Sequence, residues 1–174
     1  NTLGQSTVLD TGATSGSHAQ GRQALSGVGS IAMSAVRFMR FLLDTITGAA
    51  VQTDIFAYLN ATHITTVPTT TEAHYGARVS SAAGPGNWLA TVANGTTETT
   101  VDSTVAVANA TPYNIFGTFD GTSYKMYLNG VLRGTITTNL PGGGSDLSAR
   151  IAAKNTEAVT KRVDIVAIHC GVVA

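Results

Sequence analysis

The stretch Tyr113–Thr137, YNIFGTFDGTSYKMYLNGVLRGTIT, decides the fold. It contains three short runs in which large apolar residues alternate with other residues, the period-two pattern of β-strands. The runs are Tyr113–Phe119, Tyr124–Leu128 and Val131–Thr137. Asp120-Gly121 and Asn129-Gly130 separate them, and such dipeptides supply the positive φ angles of tight hairpin turns. The stretch therefore predicts an antiparallel, three-stranded meander.

Further apolar runs with turn residues between them lie on both sides of the meander. The predicted strands are a long one from about Ala35, then Asp54–Leu59, His74–Ser80, Trp88–Ala93, Thr96–Val101, Val105–Val107, Ala149–Ala153 and Arg162–Val173. Ile31–Ile46 also fits helical spacing, but the surrounding strands favour the extended interpretation. Alternation in the last run predicts one face made of Val163, Ile165, Ala167 and His169. Many short strands joined by turns indicate an all-β sandwich or barrel.

Length and composition indicate one structural core. The chain has 174 residues, of which 43% are hydrophobic, enough for one good core and few for two. Residues 1–30 are rich in Gly, Ser, Thr and Ala, which bury little apolar surface, so they predict an irregular N-terminal arm, either extended or lying on the body of the domain. Residues 31–174 are assigned to the β-sandwich. No run approaches the roughly 18 consecutive apolar residues of a membrane span, and no membrane partner is expected.

Charge is scarce and balanced. Charged residues make up 11% of the chain, with 10 basic and 10 acidic residues, against ~25% charged residues in typical soluble domains. A chain without net charge has no electrostatic attraction to nucleic acid, so none is expected as a partner. A monomer with so little charge tends to self-associate. We therefore expect a homo-oligomer, with much of the surface covered by partners.

The sequence shows no recognisable catalytic or metal-binding arrangement. No two acidic residues are spaced i, i+2, the spacing expected of strand carboxylates that flank one glycosidic bond. Glu98 and Asp102 come nearest and are interpreted as solvated residues of a Thr-rich hairpin. The four histidines lack zinc-site spacing, and the lone Cys170 is interpreted as a buried structural thiol. We expect no catalytic residues, no cofactor, no metal and no enzymatic activity.

Two histidines and three aromatic residues have alternative interpretations. His74 is interpreted as a surface or edge-strand residue, with a groove-facing position as the alternative. His169 and Cys170 are neighbours on a predicted strand, so their side chains point to opposite faces and cannot act as a nucleophile pair. Candidates for a sugar-stacking, ligand-binding platform are Trp88, Tyr75 and Tyr113. Core packing is favoured for these rings because only 6% of the residues are aromatic and a core needs its large side chains.

The segment FGTFDGTSYKMYLNGVLRGTI (Phe116–Ile136) resembles the hairpins of concanavalin A-like (laminin G-like) jelly-roll domains. In those domains an aromatic-x-aromatic strand, an Asp-Gly turn and a YLNG turn follow one another. The closing RVDIVAIHCGVV (Arg162–Val173) is similar to their last strand, which pairs beside the first. The resemblance implies an antiparallel, two-sheet jelly-roll β-sandwich. The clustered acidic loop of calcium-binding members is missing, so the resemblance implies no metal site here.

A narrower resemblance is carried by the order of the segments along the chain. TGATSGSHAQGR (Thr11–Arg22), NWLATVANGTTETTVDSTVAV (Asn87–Val107), the meander and the closing strand follow an order that resembles virion proteins of tailed bacteriophages. The resemblance implies a non-enzymatic capsid-decoration (cement) or tail-fibre subunit on the particle surface. Its partners would be other capsid or tail subunits, and a trimer is the favoured homo-oligomer. The alternative is a carbohydrate-binding, lectin-like module, which needs exposed rings with polar partners to attach to glycans.

Overall fold

The computed structural model of the protein describes residues 7–15, 18–24, 37–47, 53–60, 69–80, 86–142 and 148–172. These residues form twelve β-strands. Their bounds are β1 Thr7–Asp10, β2 His18–Ala24, β3 Arg37–Thr47, β4 Thr53–Asn60, β5 His74–Ser80, β6 Asn87–Ala93, β7 Glu98–Ala106, β8 Tyr113–Phe119, β9 Tyr124–Leu128, β10 Val131–Ile136, β11 Ser148–Asn155 and β12 Arg162–Val172. Nowhere in these ranges is there a helix long and apolar enough to cross a membrane.

All strand pairs are antiparallel, and they form two six-stranded sheets. The meander sheet has the order β1-β12-β3-β8-β9-β10, and the second sheet has the order β2-β11-β4-β5-β6-β7. Apolar side chains from the inner faces of both sheets form one continuous core. The closing strand β12 lies beside the first strand β1. The prediction of an all-β, antiparallel two-sheet sandwich is confirmed.

The meander forms at the predicted positions, and its two turns have the predicted chemistry. The side chain of Asp120 accepts hydrogen bonds of 2.8–3.0 Å from the amides and hydroxyls of Thr122 and Ser123. These bonds hold the pKa of the Asp120 carboxyl well below its usual range. At the second turn Asn129 and Gly130 adopt φ angles of 51° and 81°, which Asn and Gly tolerate better than other residues.

Part of the expected irregular arm is ordered as strands. β1 pairs with β12 at the edge of the meander sheet, and β2 pairs with β11 at the edge of the second sheet. Leu9 of β1 is buried in the core. Edge strands pair through backbone groups that every non-proline residue carries, so a segment poor in apolar residues can still join a sheet. The start of the long strand predicted from about Ala35 lies outside the described residues.

Register shifts in β12 change which side chains face the core. Leu43 lies opposite Ile165 and Leu42 opposite Ala167, so Val166 is an extra residue that bulges. Beyond this bulge, Ile168 packs in the core. His169 follows Ile168 and therefore points to the outer face. The predicted shared face of His169 with Val163 and Ile165 is wrong, because simple alternation does not account for a bulge.

Candidate ligand-binding groove

The three rings considered for a sugar platform lie between the two sheets. Trp88 is 0% exposed, Tyr75 1% and Tyr113 3%. Trp88 meets Tyr113 edge-on, with ring centroids 5.4 Å apart, and Tyr75 stacks on Phe119 at 4.5 Å. Each ring lies at an inward position of its strand and is almost completely buried, so none of them forms an exposed stacking platform.

A different set of residues forms a row across the outer face of the meander sheet. In strand order from β12 to β10, the register places the following residues opposite one another: His169, Arg40, Phe116, Tyr127 and Leu132. Neighbouring strands lie about 4.8 Å apart, so five strands place the ends of this row roughly 19 Å apart. The row is long enough to lie beside more than one ring of a chain-like ligand.

Half-buried aromatic rings lie in and beside this row. The ring centroids of Phe116 and Tyr127 are 5.9 Å apart, and Phe38 lies 6.4 Å from Phe116. All three rings keep part of their surface exposed. A Cβ atom on Gly171, the cross-strand partner of Phe38, would lie 2.8 Å from the Phe38 ring. Glycine there lets the Phe38 ring lie close to β12.

Two neighbouring clefts open on this side of the sheet, each of about 340 Å³. The first is lined by Arg40, Asn114, Phe116, Tyr127 and Gly130. The second is lined by Leu42, Leu43, Pro112, Tyr113, Asn114, Asn129 and Val166. Because Asn114 lines both clefts, we call them together the outer groove. Each cleft has the size of a small-molecule pocket, which is roughly 300–1,000 Å³.

The polar groups of the outer groove are held in place by hydrogen bonds. Arg40 Nε donates to Asn114 Oδ1 at 3.0 Å. The backbone amide of Asn114 donates to Asn129 Oδ1 at 2.8 Å, and the amide of Asn129 donates to the Asn114 carbonyl at 2.8 Å. No carboxylate of the described residues lies within the 4.0 Å ion-pair distance of Arg40. The groove thus combines aromatic faces, an amide and an exposed guanidinium.

The outer face of the second sheet carries a buried polar cluster around His74. The His74 ring stacks on the ring of Tyr58, with centroids 3.8 Å apart and planes 5° from parallel. His74 Nδ1 lies 2.6 Å from the carbonyl oxygen of Glu72, and Nε2 lies 3.0 Å from Thr91 Oγ1. His74 is 0% exposed on β5, between β4 and β6. The expectation of a surface or edge-strand residue is wrong, because the His74 ring is buried, stacked on Tyr58 and hydrogen-bonded.

An ion pair continues this cluster. Thr91 Oγ1 donates to Glu98 Oε1 at 2.6 Å, and Arg78 binds both carboxylate oxygens of Glu98 at 2.7 and 2.9 Å. Burial lowers the pKa of His74 from 6.5 to about 4, against the opposing effects of the Glu72 carbonyl and the Glu98 carboxylate. His74 is therefore neutral at pH 7.

Neither Glu98 with Asp102 nor His169 with Cys170 forms a catalytic pair. Glu98 and Asp102 point to the same face from positions four residues apart on β7, which separates their Cα atoms by roughly 13 Å. Cys170 packs against the core, and burial raises the pKa of its thiol. His169 points to the opposite face. The part of the chain that the structure describes contains no group of three or more His, Cys, Asp or Glu residues placed to hold a metal ion.

Comparison with known proteins finds similarity in structure alone. No family model matches the chain, and no curated protein matches its sequence. The carbohydrate-recognition domain of Emp47p is 12% identical, with a TM-score of 0.66 over 100% of this chain and 88% of that chain. A legume lectin-like domain from Entamoeba histolytica is 10% identical, with a TM-score of 0.62 over 100% of this chain and 90% of that chain. A family 7 alginate lyase, A1-II', is 11% identical, with a TM-score of 0.63 over 97% of this chain and 80% of that chain.

These structural neighbours include carbohydrate-recognition domains and an enzyme, so one fold serves both kinds of protein. At 10–12% identity the likeness establishes the fold and no activity. The concanavalin A-like resemblance of the meander and the closing strand is confirmed at the level of the fold. The chain has the two-sheet jelly-roll β-sandwich fold of these neighbours.

Proposed function

We propose that the protein is a non-enzymatic carbohydrate-binding module and that the outer groove holds the saccharide. The observation that carries this proposal is the half-buried ring pair Phe116 and Tyr127 beside the hydrogen-bonded Arg40 and Asn114. Aromatic faces pack against the apolar faces of sugar rings, while amide and guanidinium groups bond to sugar oxygens. Two structural neighbours that share this fold are a carbohydrate-recognition domain and a legume lectin-like domain, and this similarity supports the same function.

The lining of the groove favours binding over catalysis. The described residues that line its two clefts include no carboxylate, histidine or cysteine. Cleavage of a glycosidic bond by the usual route needs two carboxyl groups on either side of the bond. The His74 cluster contains titratable groups, but His74, Thr91 and Tyr58 are each 0% exposed.

Replacing Tyr127 or Phe116 by alanine is expected to weaken glycan binding at least tenfold, since each variant removes one ring from the cleft. The wild-type protein is first screened on a glycan array, and the affinities for the saccharides it binds are then measured by calorimetry. Val131→Ala is the control, because Val131 is 51% exposed and does not line the groove. Absence of any glycan binding, or wild-type affinity in both ring variants, would contradict the proposal.

A second candidate function is that of a bacteriophage capsid-decoration or tail-fibre subunit on the particle surface. Exposed apolar side chains at both edges of the meander sheet favour it: Val8 is 40% exposed on β1, while Val131 is 51% and Leu132 48% exposed on β10. Edge strands also present unpaired backbone groups to which a neighbouring subunit can bind. The proposed partners are other virion proteins and further copies of this chain.

The mass of the purified chain in solution tests the second candidate. We expect a defined homo-oligomer, with a trimer favoured, in light scattering coupled to size-exclusion chromatography. The backbone amides of the edge strands β1 and β10 would then exchange more slowly with solvent in hydrogen-exchange measurements on the oligomer. A monodisperse monomer at high protein concentration would contradict this function and leave the carbohydrate-binding proposal in place.

A further inference from the structure

We propose that the outer groove selects saccharides that carry an anionic group, a carboxylate or a sulfate, and that Arg40 binds this group. This inference rests on the carbohydrate-binding function proposed above and adds the chemical class of the ligand. It is carried by the position of Arg40 in the cross-strand row, by its hydrogen bond to Asn114, and by the absence of Asp and Glu from strands β8, β9 and β10.

Arg40 is positioned to meet a substituent of a sugar that stacks on the rings. Its cross-strand partner in the row is Phe116, which in turn lies opposite Tyr127. Adjacent strands are about 4.8 Å apart, so a sugar ring seated on Phe116 has its edge over β3, where Arg40 lies. A group attached at that edge reaches the guanidinium without moving the ring off the aromatic face.

The orientation of the guanidinium suits a two-oxygen acceptor. Arg40 Nε donates a hydrogen bond to Asn114 Oδ1 at 3.0 Å, and this bond fixes one side of the planar guanidinium. The terminal nitrogens carry further N–H donors. A planar guanidinium matches the oxygens of a carboxylate or a sulfate with two parallel hydrogen bonds. A neutral hydroxymethyl group in the same place offers one oxygen and no charge.

The strands on the β8 side of Arg40 carry basic residues and no acidic ones, whereas β12 carries both Arg162 and Asp164 and β3 also carries Asp44. Strands β8, β9 and β10 contain no Asp or Glu, whereas β9 carries Lys125 and β10 carries Arg133. Lys125 lies 3.5 Å from Asp120 Oδ2 at the turn and is partly neutralised by it. Arg40 has no such carboxylate within the described residues. An anionic ligand would supply the missing opposite charge.

The test compares matched saccharides on the same protein. The probes are a tetragalacturonate, the same tetrasaccharide after chemical reduction of its carboxylates to alcohols, and a sulfated galactose tetrasaccharide. Calorimetry on the wild-type protein is expected to show about tenfold tighter binding of an anionic probe than of the reduced probe, since charge-assisted hydrogen bonds are the stronger kind. This preference is expected to fall as salt is added.

Variants assign the preference to Arg40. In Arg40→Gln the ratio of the affinities for the anionic and reduced probes should fall from about ten to about one. Arg40→Lys should give an intermediate ratio, because lysine keeps the positive charge but lacks the planar guanidinium group. Arg162→Gln is the matched control, since Arg162 is an exposed arginine of the same sheet that donates to Asp164 at 2.8 Å. It should keep the wild-type ratio.

The outcomes separate this inference from the proposed function. Equal affinity for the anionic and reduced probes, or an unchanged ratio in Arg40→Gln, overturns the inference and leaves carbohydrate binding standing. A preference confined to the sulfated probe supports it and identifies the anion as sulfate, while a preference confined to tetragalacturonate identifies a carboxylate. Failure of all three probes and of a neutral glycan array overturns both.

Discussion

Replacing Trp88 by alanine is expected to destabilise the protein by about 3–5 kcal/mol, the usual cost of removing a large buried ring. Trp88 is 0% exposed and meets Tyr113 in the middle of the core. The loss combines the transfer of the ring to water with the cavity that it leaves between two sheets, which cannot close around it. Equilibrium unfolding in urea measures the effect as a lower midpoint and a lower free energy of unfolding.

Two further variants show whether Trp88 acts through the core or through a binding surface. Trp88→Phe should lose less stability, and the folded variant should bind glycans as the wild type does, because Trp88 is buried in the core and does not line the outer groove. Val159→Ala, at a position that is 53% exposed, should stay within about 0.5 kcal/mol of the wild type. Normal stability together with lost glycan binding in Trp88→Ala would contradict the structural assignment of this ring.

Acidification from pH 7 to pH 4 is expected to lower the free energy of unfolding by about 3 kcal/mol through His74 alone. Well above pH 6.5 the imidazole is neutral in both the folded and the unfolded chain, so it contributes no pH dependence there. Between pH 6.5 and about 4 the unfolded chain binds a proton that the buried ring does not, because burial lowers the pKa of His74 to about 4. Stability therefore falls as the pH falls through this window.

His74→Gln is the matched control, because it keeps an amide for hydrogen bonding and removes the titrating group. Urea unfolding at four pH values from 7 to 4 should show a shallower decline for the variant than for the wild type. Asp120, whose carboxyl pKa is depressed in the fold, contributes stability that is lost mainly below pH 4, outside this window. Parallel curves for the two proteins between pH 6.5 and 4 would refute the assignment to His74.

Some residues of the groove could be found from the sequence, and others could not. Alternation in β8 and β9 places Ile115 and Met126 inward, so Phe116 and Tyr127 point outward by the same pattern. Two outward-pointing aromatic rings in adjacent strands can therefore be recognised from the sequence as a candidate surface site. Arg40 lies more than 70 positions earlier in the chain, and only the pairing of β3 with β8 brings it beside them.

Local sequence determined the meander, its two turns and the all-β class. Alternation and the φ preferences of Asp-Gly and Asn-Gly act within a few residues, so they can be read without knowing what the rest of the chain does. The tertiary structure decided the rest: the cross-strand row, the bulge at Val166 that turns His169 outward, the edge strands β1 and β2, and the burial of His74. These features depend on which distant strands pair and in which register, and a shift of one residue exchanges the two faces of a strand.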